Sequence, residues 1–237
     1  SDYDLLVVTK KRLGVRESTA TARIGNRFLE GKDAEFHTHP QFINESISKL
    51  NNALSEGRYF YVDILAQGIV LYDSGEYQLA TPRDLNYPEI RKMAQKYYNN
   101  RFIEASRFFE TAKFNYLKEW YVIASFQLHQ ATENFIKTIP LVYILYGHKE
   151  HDLELLIEKC KPYTLELSKV FPRDTPEEER LFRLLQRAYV EARYNDDFVV
   201  TKEDIDALMP KVERLRDITE KICCDRIAEY NRLSRQP

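Results

Sequence analysis

The sequence predicts an α+β protein with two domains: a small α/β sheet domain over residues 1–86 and an all-α, antiparallel helical bundle over residues 87–237. In the first domain, short runs rich in β-branched and aromatic residues alternate with segments compatible with helices. From about Tyr87 onward, long helical periodicity replaces these runs. Between the two patterns, Pro82 and Pro88 bracket a polar stretch, and the second proline suits the first turn of a helix.

The first domain is predicted to contain three strand segments and two helices. The strands are expected at residues 3–9, 35–42 and 59–72, and the helices at residues 20–30 and 42–55. The last strand segment alternates in polarity and turns at Gly68 and again after Tyr72, at an Asp-Ser-Gly sequence. We therefore expect this segment to close a small sheet as one or two strands.

The second domain is predicted to be a bundle of five helical segments. They are expected at residues 88–112, 115–146, 152–161 (continuing toward residue 170), 176–194 and 201–233. Thr175 and Thr201 each precede acidic residues in a first helical turn, which is the pattern of an N-cap. The absence of strand signals in this half predicts an antiparallel bundle.

Charge and cysteine content limit the class of protein. The chain has 35 Lys and Arg residues against 37 Asp and Glu residues, a net charge of −2, so any contact with a polyanion has to be local. Cys160, Cys223 and Cys224 show neither a disulfide framework nor a zinc spacing, which favours a reducing cytoplasm. The apolar stretch 136–146 is about half a membrane span. We expect no membrane anchor and no signal peptide, and we expect further residues upstream of Ser1, since no methionine precedes it.

Three segments of the predicted bundle carry a recognisable pattern: FQLHQATENFIKTI, EHDLELL and RLFRLLQRAYVEARYNDDF. In order and spacing they resemble the HEPN domain, with its alanine, glutamate and lysine on the second helix, its His-Asp-Leu helix start and its helix ending in an arginine-led motif. The likeness covers roughly residues 102–227. It implies a helical bundle that forms a homodimer through helix faces. Candidate contacts in this dimer are Trp120, Tyr121 and Phe198, and Trp120 is equally suited to the core.

Many HEPN proteins are ribonucleases that use an arginine followed, four to six residues later, by a histidine. The matching arginine here is Arg193, and residues 194–200 contain no histidine. Without an imidazole in this motif, no group with a pKa near neutrality is available to move the proton of a 2′-hydroxyl, so ribonuclease activity is the least favoured function. Arg193 beside Tyr194 remains suited to bind a phosphate with an aromatic face nearby, or to form a salt bridge with Glu191 or the acidic pair at 196–197.

A row of polar residues lies on one face of the predicted second bundle helix. His129, Glu133 and Lys137 are spaced four residues apart. The row could line a nucleotide-binding groove of the bundle. The more common explanation of such a row is a solvated ladder of charges on the helix surface.

HEPN domains are often paired with a minimal nucleotidyltransferase, and this changes the interpretation of the opening sequence SDYDLLVV. It resembles the second half of the nucleotidyltransferase motif, in which Gly-Ser precedes an Asp-x-Asp that leads into a strand. The resemblance implies that Asp2 and Asp4 are catalytic ligands of Mg²⁺ and that ATP or another NTP is bound there. The alternative is an acidic turn before a core strand. The Gly-Ser part of the motif is not in this sequence.

The nucleotidyltransferase motif also takes a third carboxylate from a neighbouring strand. Glu35 is closer to the family's position than Asp63, for which a structural role comes first. Glu35, His37 and His39 alternate, so on a strand they share one face and could bind a divalent metal. A polar, solvent-facing edge strand explains the same spacing.

Together these patterns predict a fused nucleotidyltransferase-like and HEPN protein that binds a nucleotide. Its first predicted function is transfer of a nucleoside monophosphate from an NTP to a hydroxyl of a protein, RNA or small molecule, with Mg²⁺. The alternative is a non-catalytic regulatory HEPN module, similar to those of toxin–antitoxin systems, that binds a nucleotide or RNA. In either case we expect a homodimer and no membrane partner.

Overall fold

A computed structural model of the chain describes residues 3–11, 19, 23, 40–148 and 150–235. The chain divides into two compact units, Ser1–Leu85 and Asn86–Pro237. The first combines a parallel pair of strands with helices, and the second is helical throughout its regular structure. Among the described residues, no helix combines the length and apolar character needed to cross a membrane.

The first unit contains a parallel pair of strands, β1 (Tyr3–Thr9) and β2 (Pro40–Ser46). Their register places Tyr3 opposite Pro40 and Thr9 opposite Ser46, so both strands begin at the same edge of the sheet. The strand predicted at residues 3–9 is therefore present. The predicted strand 35–42 overlaps β2 only at residues 40–42, and residues 35–39 lie outside the described residues. The predicted helix 20–30 also lies outside them, except for residue 23, which is helical, as is residue 19 just before it.

Helix α1 (Ile47–Ser55) follows β2 directly, because Ser46 serves as its N-cap and accepts a hydrogen bond from the amide of Lys49. The predicted helix 42–55 is thus correct only from residue 47 onward. Leu50 and Leu54 of α1 are fully buried, and Leu6 of β1 packs against the small core that they form.

The prediction of a strand at residues 59–72 is wrong, since Tyr59–Gln67 forms helix α2. Aromatic and β-branched residues favour strands in isolation, but here Tyr61 and its apolar neighbours on α2 pack against the buried face of α1. Gly68 ends the helix, and its amide donates to the carbonyl of Ile64 at 2.7 Å. Asp63 consequently lies on an exposed helix position and not on a sheet strand.

The second unit contains five α-helices among its described residues, close to the five predicted segments. They are α3 (Tyr87–Leu117), α4 (Tyr121–Tyr143), α5 (Leu153–Cys160), α6 (Pro176–Tyr194) and α7 (Lys202–Leu233), with a short 3₁₀ helix at Glu166–Lys169. Helix α4 begins at Tyr121 and not at residue 115, because Glu119 adopts a positive φ of 61° and reverses the chain after α3. The three-residue turn makes α3 and α4 antiparallel neighbours.

The two predicted threonine N-caps are present with complete capping boxes. Thr175 and Thr201 accept hydrogen bonds from the amides of Glu178 and Asp204, and the two carboxylates accept from the threonine amides in return. Asp204 also pairs with Arg180 at 2.5 Å, which ties the start of α7 to α6.

Helix α4 is the centre of the bundle and packs against α3, α5, α6 and α7. Its interior Pro140 has no amide hydrogen, and the thiol of Cys160 lies 3.6 Å from the carbonyl oxygen of Ile136, the acceptor that this proline leaves free. Because α4 is enclosed by its neighbours, every residue from Ala131 to Leu141 is buried, including the polar ones.

Candidate functional site

The polar row on α4 is buried. The exposed fractions of His129, Glu133 and Lys137 are 0%, 4% and 8%. The prediction of a solvated charge ladder is therefore wrong. The row lies on the central helix of the bundle, where most buried polar side chains have hydrogen-bond partners.

Glu133 is the centre of a buried network of hydrogen bonds. The Lys137 ammonium donates to its Oε1 at 2.8 Å, and Nδ1 of His151 lies 3.0 Å from its Oε2. Burial favours the protonated acid, but the hydrogen bonds and charges of Lys137 and His151 outweigh it and hold the pKa of Glu133 below its ordinary value. Glu133 is thus a buried carboxylate with a partner on each oxygen.

His151 joins this network from the connection that precedes α5. Its side chain is half exposed, and its ring stacks on Tyr189 of α6 with the centroids 4.4 Å apart and the planes at 13°. The N-cap of α5 is Asp152, in the His-Asp-Leu helix start of EHDLELL, and its side chain accepts a hydrogen bond from the amide of Leu155. The sequence prediction did not identify His151 as a site residue, although the histidine stands in the same motif.

His129 lies deeper in the same cluster and is fully buried. Nδ1 lies 3.8 Å from Oε2 of Glu133, and among the described residues neither ring nitrogen forms a hydrogen bond of normal geometry. Burial lowers the pKa of His129 to about 4, despite the opposing attraction of Glu133. His129 is therefore a neutral aromatic residue at ordinary pH, and its ring stacks on Tyr189 at a centroid distance of 5.1 Å.

Arg193 lies in the last turn of α6, on the exposed side of the cluster. Its Nε and Nη2 both donate to the carbonyl oxygen of Tyr189, at 2.8 and 2.5 Å. The guanidinium carbon is 4.6 Å from the ring centroid of Tyr189, and 5.2 and 5.0 Å from those of Phe126 and Tyr194. Tyr194 is 76% exposed, so one aromatic face beside this cation is open to solvent.

The predicted salt bridge of Arg193 with Glu191 does not form, because Glu191 is bound through both oxygens by Arg187. Within residues 86–148 and 150–235, no carboxylate lies within ion-pair distance of Arg193. The positive charge is held in place by a carbonyl and by aromatic rings and is not neutralised there. Its remaining N–H groups are available to a ligand.

The predicted residues of the amino-terminal site are largely outside the described part of the chain. Asp2, Glu35, His37 and His39 lie outside it, and the structure describes only the backbone of Asp4, in β1. Among the described residues, no three His, Cys, Asp or Glu side chains are grouped so that they could hold a metal ion.

Phe198, a predicted dimer contact, lies in the core of the second unit. It is buried, with the guanidinium of Arg187 over its ring at 5.7 Å. Trp120 is half exposed at the turn between α3 and α4, and so is not a core residue. The prediction that Phe198 is an exposed contact of a homodimer is therefore wrong, whereas Trp120 is exposed.

The fold of the second unit and its buried polar cluster define an all-helical domain built around one polar central helix. Comparison with sequence families identifies it: the HEPN domain matches residues 98–222, more than half of the chain. The chain belongs to the HEPN family. The predicted resemblance over residues 102–227 is confirmed, and the match does not extend to the first unit. A search of curated proteins gave no match.

Proposed function

We propose that the HEPN bundle of this chain is a nucleotide- or RNA-binding module in which Arg193 binds a phosphate group. HEPN domains commonly bind nucleic acids, which supports the class of ligand. The observation that carries the assignment to a residue is the state of Arg193, a fixed guanidinium without a carboxylate partner in the described part of the bundle. A guanidinium of this kind forms two parallel hydrogen bonds with phosphate oxygens.

The aromatic side chains around Arg193 supply the second part of the ligand site. Tyr194 is open to solvent and lies beside the guanidinium, so it can stack on a base whose phosphate is bound by Arg193. His129, Glu133 and Lys137 are predicted nucleotide-binding residues, but they are buried. In this proposal they support the site from beneath and do not contact the nucleotide.

A binding measurement with a matched control tests this proposal. Loss of one charge-assisted hydrogen-bonding group costs about 1.5–3 kcal/mol, which corresponds to a fall in affinity of roughly 10- to 150-fold. We expect this fall for Arg193→Gln when binding of fluorescently labelled single-stranded oligoadenylate is followed by anisotropy. Arg187→Gln removes an exposed arginine of the same helix that is already paired with Glu191 and should bind like the wild type.

Parallel calorimetry with ATP separates a free nucleotide from an RNA strand as the ligand. If ATP binds, and if Arg193→Gln weakens this binding while Arg187→Gln does not, the site accepts mononucleotides as well as RNA strands. Equal affinity of wild type and Arg193→Gln for both ligands would overturn the proposal, because the phosphate contact would then be elsewhere.

The second candidate function is nucleotidyl transfer by the first unit. The parallel register of β1 and β2, which starts both strands at one sheet edge, supports it, because Asp4 is the second residue of β1, and in the sequence Asp2 directly precedes β1 and Glu35 precedes β2. Alternate positions of a strand share a face, and carboxylate oxygens are ligands that Mg²⁺ prefers. In this proposal Asp2, Asp4 and Glu35 hold Mg²⁺, which neutralises the charge of the NTP phosphates.

Transfer is tested by incubating the protein with ATP labelled at the α-phosphate, in the presence of Mg²⁺ and candidate hydroxyl acceptors. The expected result is label transferred to a protein or RNA acceptor and lost in the Asp2→Asn, Asp4→Asn double variant. Transfer that is unchanged in the double variant would show that these carboxylates are not the metal ligands.

The proposed homodimer requires an exposed apolar face, and the described part of the bundle has one at the turn between α3 and α4. Phe114, Leu117, Trp120 and Ile123 are all about half exposed or more. Sedimentation equilibrium is expected to give the mass of two chains, and Leu117→Asp to reduce it to one. A monomer for the wild-type protein would contradict this assembly.

A further inference from the structure

We propose that Ile69–Tyr72 of the first unit, here called the interaction segment, adds as a parallel strand to the uncovered edge of β1 in a second copy of this chain. The inference goes beyond the proposed homodimer of the bundle and rests on it, because that dimer brings two first units into one assembly. Three observations carry it: the exposure of the segment, an uncovered sheet edge, and opposite charges beside the two.

The interaction segment is a continuous apolar stretch on the surface of the first unit. Its four side chains are between 77% and 86% exposed. The segment belongs to no helix or strand, and it makes no backbone hydrogen bond to another described residue. Single exposed apolar residues are common, but contiguous ones mark interaction sites. Its β-branched and aromatic side chains suit an added strand.

The residues after the interaction segment are anchored to the first unit. Asp73 accepts a hydrogen bond from the amide of Gly75 at 2.8 Å, and Gly75 has a positive φ of 72°, so the chain turns there. It then returns to α1, where the side-chain amide of Asn51 donates to the carbonyl of Gln78 and accepts from the amide of Ala80. The segment is thus presented to solvent next to an anchored turn.

The sheet of the first unit has an uncovered edge at β1. In the part of the chain that the structure describes, the sheet contains only β1 and β2, so one edge of each strand is not covered by another strand. Such an edge presents N–H and C=O groups to an incoming strand. Val7 and Val8 of β1 are 37% and 38% exposed, so apolar side chains on both faces of β1 are open to contact.

Opposite charges lie beside the interaction segment and beside β1. Residues 59–82 contain three acidic residues and no lysine, arginine or histidine, and two of the acids, Asp73 and Glu76, follow the segment. Lys10 and Lys11 follow β1 and are exposed, and neither forms an ion pair within the described residues. The segment and the strand of a second copy are therefore complementary in charge.

The same charges select the direction of the added strand. In parallel addition, Leu71 lies opposite Val8 and Asp73 lies opposite Lys10. Antiparallel addition would instead place Asp73 toward the start of β1, where the sequence has another aspartate, Asp4, and like charges oppose pairing. Parallel addition also continues the parallel register of β1 and β2.

The edge of β2 is a poorer acceptor than that of β1. Strand β2 begins with Pro40, which has no amide hydrogen to donate. The helix that follows β2 carries Lys49, but its ammonium is already bound to the buried carboxylate of Glu45 at 2.6 Å. The acidic end of the interaction segment would thus meet a lysine that is already paired.

This contact is small and depends on the bundle dimer. Four residues of the interaction segment and four of β1 on each chain are far fewer than the roughly 20–30 residues a side of a standard interface. Within a dimer held by the bundle, the second contact forms at a raised effective concentration. The mass of the assembly is therefore set by the bundle and not by the strand.

Crosslinking between two distinguishable copies tests the proposal. A chain with Val8→Cys is co-expressed with an affinity-tagged chain with Leu71→Cys, and both carry Cys224→Ser, which removes the exposed native thiol. With a short bismaleimide we expect a covalent pair that contains one chain of each kind. Replacing Leu71→Cys by Ser55→Cys, at an exposed position of α1 outside both segments, should give no such pair.

A second pair of positions protects the test against a local effect of one cysteine. Val7→Cys with Val70→Cys lies one residue earlier in the same register and should also give the mixed pair. Absence of the mixed pair for both combinations, in proteins with native circular dichroism spectra, would overturn the proposal. A crosslink that forms only within one chain of a Val8→Cys, Leu71→Cys double variant would show pairing with its own β1 and would overturn pairing between copies.

Charge reversal tests the direction of the strand. Asp73→Lys in the chain with Leu71→Cys should lower the yield of the mixed pair by about 2- to 5-fold, the effect of an exposed ion pair. Lys10→Glu in the chain with Val8→Cys should restore it. A yield that does not respond to either reversal would contradict parallel addition.

Sedimentation equilibrium of the same proteins separates failure of this inference from failure of the homodimer. A mass of two chains without the mixed crosslink would overturn strand addition and keep the bundle dimer. A mass of one chain for the wild type would overturn the homodimer and, with it, the strand addition that rests on it.

Discussion

The buried imidazole of His129 predicts a specific loss of stability in mild acid. Folding lowers the pKa of this residue from 6.5 to about 4 through burial. Between these values the unfolded chain binds a proton that the folded protein does not, so the contribution to stability is fully present above pH 6.5 and is lost as the pH falls toward 4. A difference of this size corresponds to about 3 kcal/mol in total, and to about 2 kcal/mol by pH 5.

The variant His129→Phe isolates this contribution, because it keeps an aromatic ring beside Tyr189 and removes the titrating group. The free energy of unfolding would be measured by urea denaturation at pH 7.5 and at pH 5. Glu133, Lys137 and His151 surround the ring in both proteins, so their own titration affects both. We expect the wild type to lose about 2 kcal/mol more than the variant between the two pH values.

The comparison within each protein cancels any packing strain that the larger phenylalanine introduces. His129→Gln, which also cannot titrate, provides a second variant with a smaller side chain. Equal losses of stability in the wild type and in both variants would contradict this prediction. They would show that His129 is not held neutral by burial.

Two further predictions concern the stability of the bundle. Thr201→Ala removes the N-cap of α7 and is expected to lower the free energy of unfolding by about 1 kcal/mol. The control Thr111→Ala, at an exposed position within α3, should lower it less. Urea denaturation of both variants measures the difference. Leu185→Ala empties a fully buried position on α6 and should cost about 2–5 kcal/mol. Leu165→Ala, at an exposed position, should be nearly neutral, and a similar loss in both leucine variants would contradict the position of the core.

The helices of the bundle could be predicted from the sequence because their signals are local. Periodicity and capping residues identified α6 and α7 with almost their observed ends, since Thr175 and Thr201 act within one turn of themselves. The helix Tyr59–Gln67 was missed because its aromatic and β-branched residues favour a strand until they pack against α1.

The candidate site could be predicted only in part. Spacing placed His129, Glu133 and Lys137 on one helical face, but the same spacing describes an exposed ladder and a buried network. Burial depends on the helices that enclose α4, which is information from distant parts of the chain. His151 is 18 residues from its partner Glu133, so its role depends on tertiary contacts that periodicity does not report.

Binding of a phosphate by Arg193 is tested by the dependence of nucleic-acid binding on salt concentration. For a single-stranded ligand, the slope of log K against log salt concentration changes by about 0.7 for each phosphate contact. We therefore expect Arg193→Gln to bind oligoadenylate with a slope shallower by about 0.7 than that of the wild type, while Arg187→Gln keeps the wild-type slope. An unchanged slope in Arg193→Gln would show that Arg193 does not contact a phosphate of the ligand.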